Sequence, residues 1–204
     1  MGRKSGMVRK ILWSLVGLLV LGLVGMAVFR TVLTNEAFNG TELSSPIPAP
    51  DFALTSDHGT VHLADFRGKT VLLYFGYTYC PDICPLTLGK LAQAVQGLGT
   101  AEKDTRVIFI SVDPARDTPA RLGQYVRAFD PSFLGVTGDP QIVAQVAKDY
   151  GIFYQKTDIV SPTNYAITHT ALVIVIDREG RWRLLWSEDL QPPAMVHDLM
   201  LLER

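Results

Sequence analysis

The sequence predicts an α/β domain with a central mixed sheet, preceded by one N-terminal transmembrane helix. Three observations lead there. "KTVLLYFGY" (69–77) is an unbroken apolar strand, as expected for one buried on both faces, and "RVIFISV" (106–112) and "ALVIVID" (171–177) are a second and a third buried strand. Helix-forming segments alternate with them. Residues 11–29, "ILWSLVGLLVLGLVGMAVF", carry no charge.

Taken in order, the chain opens with Arg3, Lys4, Arg9 and Lys10. Basic residues ahead of a first span hold that end in the cytoplasm. At ~1.5 Å per residue, a helix over 11–29 roughly matches the ~30 Å hydrocarbon layer. A cleaved signal peptide is the rival reading. Its apolar stretch would run only ~7–15 residues, and "GMAVFRT" is a poor cleavage site. A retained anchor is therefore expected, with residues 1–10 cytoplasmic. So short a leader leaves little room for an organellar transit peptide. That favours a bacterial inner membrane with the domain in the periplasm over the alternative, the mitochondrial inner membrane.

Residues 30–50 read as a linker stiffened by Pro46, Pro48 and Pro50, and the folded domain is expected over 51–204. "DFALTSDHGTVHLADF" (51–66) predicts a hairpin turning at Gly59. A helix follows Cys84, with Pro85 at its first position and Leu88, Leu91, Val95 and Leu98 at helical spacing. Thr118-Pro119 and Asp139-Pro140 each open a further helix as cap and first-turn proline. The first of these runs to Phe129, and Gly151 closes the second. "RWRLLWS" (181–187) is an antiparallel partner for the third buried strand. Pro192 and Pro193 introduce a last helix containing Met195, Leu199 and Leu202.

Charge excludes one class of function. Five of the 19 basic residues and none of the 20 acidic ones precede residue 31, so the rest of the chain carries a net charge of −6. A mildly anionic domain is not a nucleic-acid binder.

The two cysteines of the chain, Cys80 and Cys84, stand in "FGYTYCPDICPL" (75–86), where a buried strand gives way to a helix. In open α/β sheets ligands sit in the crevice beyond the carboxyl ends of the strands. Unpaired amides and the helix dipole favour a thiolate on Cys84. Three roles stay open: a disulfide staple, a redox dithiol, or part of a metal site. A disulfide closing so small a loop constrains the unfolded chain little. Of the four histidines, His58, His62 and His197 read as solvated surface residues. His169 stands two residues before the third buried strand, where the loop can return to the cysteines. Two thiolates and one imidazole form a soft, low-coordinate set, which selects Cu(I), while imidazole also accepts Cu(II). A structural zinc site would use four protein ligands. Asp82 is either a fourth ligand or a turn residue accepting backbone hydrogen bonds.

"FGYTYCPDICP" resembles the SCO/SenC family, membrane-anchored copper proteins of cytochrome oxidase assembly. "FISVDPARDTP" (109–119), "YVRAFDPSFLGVTG" (125–138) and "THTALVIVIDREG" (168–180) match in the same order. The resemblance implies a thioredoxin-like fold and copper held by Cys80, Cys84 and His169. It also implies delivery of copper, or of reducing equivalents, to the dinuclear copper centre of cytochrome c oxidase subunit II. Asp82 corresponds to the aspartate of the cysteine motif, and Asp113 reads as structural. Family members often carry an acidic residue just before the histidine, where this chain has Thr168, so a carboxylate that orients the imidazole is in doubt.

A copper-delivering protein of this kind need not be an enzyme. The competing reading is a membrane-anchored thiol-disulfide oxidoreductase, with one cysteine attacking and the other resolving. Such reductases generally place a cis-proline just before the strand facing the dithiol. Here that stretch is Ile167-Thr168-His169-Thr170, without proline, which favours metal. Reduced cysteines are still required for loading, so another periplasmic copper chaperone or a thioredoxin-like reductase is an expected partner beside the oxidase subunit.

Overall fold

The computed structural model describes residues 13–26 and 37–203 of the 204 in the chain. They belong to two compact units that divide after Ala37. In the first, residues 13–26 form helix α1, and its apolar side chains, from Trp13 to Met26, are exposed. Among the described residues no helix is long and apolar enough to cross a membrane. The expected basic segment 1–10 and both ends of the expected anchor, 11–12 and 27–29, lie outside the described residues.

The second unit is built on a six-stranded sheet. Its strands are β1 (Thr41–Pro48), β4 (Thr70–Gly76), β5 (Thr105–Ser111), β6 (Leu134–Val136), β9 (Val173–Ile176) and β10 (Arg181–Trp186), in the order β1-β10-β9-β4-β5-β6. β4 pairs parallel with β5, and β5 with β6, while β9 runs antiparallel to both β4 and β10. The sheet is therefore mixed, as expected. Every residue of β4 and β9 is buried, which explains their unbroken apolar sequences. Helices α2 (Ile83–Gly97), α3 (Pro119–Arg127), α4 (Pro140–Asp149) and α5 (Pro192–Leu202) complete the domain. Thr118 and Asp139 cap α3 and α4 by accepting from the amides of Arg121 and Gln141, and a proline follows each cap.

Two small hairpins flank the sheet. One is β2 (Ala53–Ser56) with β3 (Gly59–His62), turning at the expected Gly59, whose φ is +117°. The other is β7 (Tyr154–Ser161) with β8 (Asn164–His169).

The structure corrects three expectations. Thr41–Pro48 lies within the expected linker but is an edge strand on β10, and the compact unit begins at Phe38. Its prolines are compatible with this because an edge strand leaves one row of amides unpaired. Helix α2 starts at Ile83, before Cys84, so Pro85 is its third residue; it still lacks only an amide that has no helical partner. β6 and the β7–β8 hairpin carry polar or very short sequences that gave no strand signal.

Candidate metal centre

The topology explains why the cysteines and His169 meet. β4 runs up to the cysteine loop. β9 runs the opposite way, with Val173 beside Tyr74, so the residues entering β9 stand at the same sheet edge where β4 ends. His169 is the last residue of β8, four positions before that entry.

At this edge the Sγ atoms of Cys80 and Cys84 and a ring nitrogen of His169 lie within 4.8 Å of one another. Cys84 Sγ is 3.4 Å from His169 Nε2. His169 Nδ1 lies 3.2 Å from the carbonyl oxygen of Thr170. A proton on Nδ1, donated to that carbonyl, would leave the Nε2 lone pair facing the sulfurs, the tautomer a metal requires, whereas against a metal-free Cys80 thiolate the imidazole acts as a donor. The rings of Tyr74 and Tyr77 meet the imidazole edge-on, at centroid distances of 6.3 and 6.0 Å. Both cysteines are buried and free of any disulfide, and the imidazole is half-buried.

The sulfurs are not equivalent. The Cys80 thiol is pulled down to about 4, chiefly by a hydrogen bond from Cys84, with further help from His169 and the amides of Cys84 and Asp82. The Cys84 amide, an orphan of the first turn of α2, donates to Cys80 Sγ at 3.4 Å. Cys84 is pushed the other way, by its hydrogen bond to Cys80, by burial, and by the charge on its neighbour. The pair thus keeps one proton, on Cys84. This runs opposite to the expectation that the helix N-terminus would favour a Cys84 thiolate, chiefly because the Cys84 thiol donates to Cys80 and burial disfavours charge on Cys84, with the Cys84 and Asp82 amides adding to the effect on Cys80.

Asp82 sits at the N-cap of α2, exposed, with no side-chain capping bond. It is not among the residues whose ligand atoms converge. His58, His62 and His197 lie elsewhere; the first two are exposed, and His197 stands beside Asp198.

Several residues that shape the site were missed or undervalued in the sequence. A Cβ on Gly76 would stand 2.7 Å from Cys84 Sγ and 2.8 Å from the Phe109 ring, so only glycine lets the sulfur approach the strand end. Asp117, fully buried, accepts from the Thr78 amide (2.9 Å), the Thr78 hydroxyl (2.5 Å) and the Ser111 hydroxyl (2.6 Å), fixing the cysteine loop to the end of β5. Asp113 accepts from Tyr165 on the histidine hairpin. The signal for both was present in "SVDPARDTP": two acids directly after a buried strand, too close to the sheet edge to be solvated.

Fold and site together define a thioredoxin-like protein with a dithiol–imidazole centre suited to a soft metal ion. The profile of the SCO1/SenC family matches residues 41–202, and the chain belongs to that family. It is 41% identical over 133 residues to the mitochondrial SCO2 homolog of Bos taurus, covering 64% of this chain and about half the length of that relative. Among solved structures it is similar to apo Sco1 of Thermus thermophilus, with a TM-score of 0.76 and 44% identity over 83% of this chain and 99% of that one. It is also similar to copper-bound ScoI of Bradyrhizobium japonicum, with a TM-score of 0.70 and 35% identity over 76% of this chain and 98% of that one.

Proposed function

We propose that this protein binds one copper ion through Cys80, Cys84 and His169 and delivers it to the dinuclear copper centre of cytochrome c oxidase subunit II. The observation that carries the reading is the convergence of two thiol sulfurs and one correctly oriented imidazole nitrogen within 4.8 Å. Its support is the donor set, soft enough for Cu(I) and able to accept Cu(II), together with a similar protein that holds copper. The Cys80 thiolate offers the first bond. Cys84 gives up its proton as the second sulfur binds. His169 adds the third ligand from its hairpin, and the centre stays open enough for a partner's ligands to replace these one at a time. A thioredoxin-like reductase keeping the cysteines reduced and an upstream copper chaperone fit the same cycle.

Residues 11–29 would anchor the chain in a bacterial inner membrane with the domain in the periplasm; the mitochondrial inner membrane is the alternative. The apolar, uncharged segment and its four preceding basic residues support this.

One observation favours a second reading. A Cys80 thiolate beside a protonated Cys84 is also the arrangement of an attacking and a resolving thiol. The full chain, reduced and titrated with Cu(I) and Cu(II), separates the two. The copper reading expects one ion per chain, thiolate-to-Cu(II) charge transfer altered in His169→Ala, and transfer to subunit II. Efficient reduction of a partner disulfide by a chain that binds no copper would establish the oxidoreductase instead.

A further inference from the structure

The histidine hairpin and the cysteine loop are joined by one buried cation. The Arg116 side chain is 7% exposed. Its Nε donates to the Asp113 carboxylate, whose other oxygen accepts from the Tyr165 hydroxyl at 2.7 Å. Its Nη1 donates to the Tyr165 carbonyl at 2.8 Å. Its guanidinium lies 3.6 Å from the centroid of the Tyr165 ring, and 4.6 and 5.7 Å from those of Tyr79 and Tyr77. Tyr165, Ile167 and His169 alternate along β8 and so share a face of it. Tyr77 and Tyr79 belong to the cysteine loop, and the Tyr77 hydroxyl accepts from the Ile167 amide at 3.1 Å. Arg116 therefore grips the hairpin by side chain and backbone on one side and lies over the aromatic residues ahead of Cys80 on the other. Only a guanidinium combines a planar fork with stacking; an ammonium does neither.

We propose that Arg116 is the positioning residue of this centre: by clamping Tyr165 it holds His169 within reach of the two sulfurs, so that the metal meets three ligands and not two. The proposal rests on the reading of Cys80, Cys84 and His169 as a copper site. β7 has no fully buried residue, and β8 buries only Tyr165 and Ile167, so the contacts at these two residues carry much of the hairpin's hold on the domain. The clamp acts at Tyr165 while the Tyr77 hydroxyl holds the Ile167 amide, and these are the two buried positions that lead to the histidine.

The test is a double-mutant cycle on the full chain in detergent, with Cu(I) affinity read by competition with a chromophoric chelator. Arg116→Gln is expected to weaken binding by about tenfold, the scale on which removing a residue that orients a ligand acts. The same change made in His169→Ala is expected to cost nothing. Tyr165→Phe keeps the ring but loses the bond to Asp113, and is expected to give a smaller, equally histidine-dependent loss; Arg116→Lys is expected to fail as a rescue. In the metal-free chain, Arg116→Gln should speed hydrogen exchange of the Ile167 amide while amides of α2 stay protected. Equal loss of affinity with and without His169, or unchanged exchange in β8, overturns the proposal. A different result, His169→Ala with the affinity of the unaltered chain, removes the copper-site reading itself and the proposal with it.

Discussion

The two halves of the metal centre are held in very different ways. The cysteines sit where β4, with every residue buried, turns into α2, and Cys84 is fully buried. Asp117 and the first turn of α2 fix their loop through at least four hydrogen bonds. The histidine rides on a two-stranded ribbon outside the main sheet, whose β7 strand has no fully buried residue. On the proposed delivery role, the contrast separates donors fixed in the core from one carried by a smaller element. The two sulfurs belong to the core. The imidazole belongs to a smaller element with fewer buried residues, the side from which the proposed ligand exchange would begin.

The sharpest break in that comparison is a change at a sulfur. Cys80→Ser or Cys84→Ser should abolish Cu(I) binding, since a hydroxyl is too hard to replace a thiolate. His169→Ala should weaken binding but leave the two-sulfur site occupied. A chelator titration reads both, and comparable losses at all three positions would erase the distinction between core and ribbon ligands.

Asp117→Asn comes next. It leaves buried donors of Thr78 or Ser111 poorly satisfied, at about 2 kcal/mol. Melting should fall by roughly 4–8 °C, at ~2–4 °C per kcal/mol for a domain of this size. An unchanged melting temperature would show that the cysteine loop is held by something other than Asp117.

Protonation sharpens the comparison further. Ultraviolet thiolate absorption of the reduced chain should show one sulfur ionising near pH 4. In Cys84→Ala, which loses the main cause of that shift, Cys80 should move back toward the usual ~8.5. Because the folded value lies below the unfolded one, Cys80 adds its full stability above ~8.5 and loses it as pH falls toward about 4. Cu(I) loading at neutral pH should accordingly release one proton, from Cys84. Release of two would mean that neither thiol is ionised beforehand.

The smallest effect belongs to Asp82. Exposed and without a capping bond, its replacement by Ala should change neither copper affinity nor melting. A marked loss of affinity would make it a fourth ligand.

Buried elements were legible in the sequence because burial writes itself into composition. β4, β5 and β9 each hold a continuous apolar stretch, and α3 and α4 announce themselves by cap and proline. The three converging residues were legible as well, because the chain has only two cysteines and one histidine leading into a buried strand. The β7–β8 hairpin was not. "YQKTDIVS" is stabilised by pairing with its neighbour and by a few contacts, so neither period nor hydrophobicity betrays it. β1 was hidden by prolines that an edge strand tolerates. The Arg116 clamp was invisible for another reason: Asp113 is a local partner three residues back, but Tyr79 and Tyr165 are brought to it only by the fold. The unequal thiols depended on how the Cys84 thiol and the helix amides face Cys80, a matter of geometry alone.

X-ray absorption of the chain loaded with one equivalent of Cu(I) tests the central claim most directly. The account predicts two sulfur neighbours and one imidazole nitrogen around each copper, with the nitrogen absent in His169→Ala. A first shell of sulfur alone in the unaltered chain would show that His169 takes no part in holding the metal, and would contradict the account.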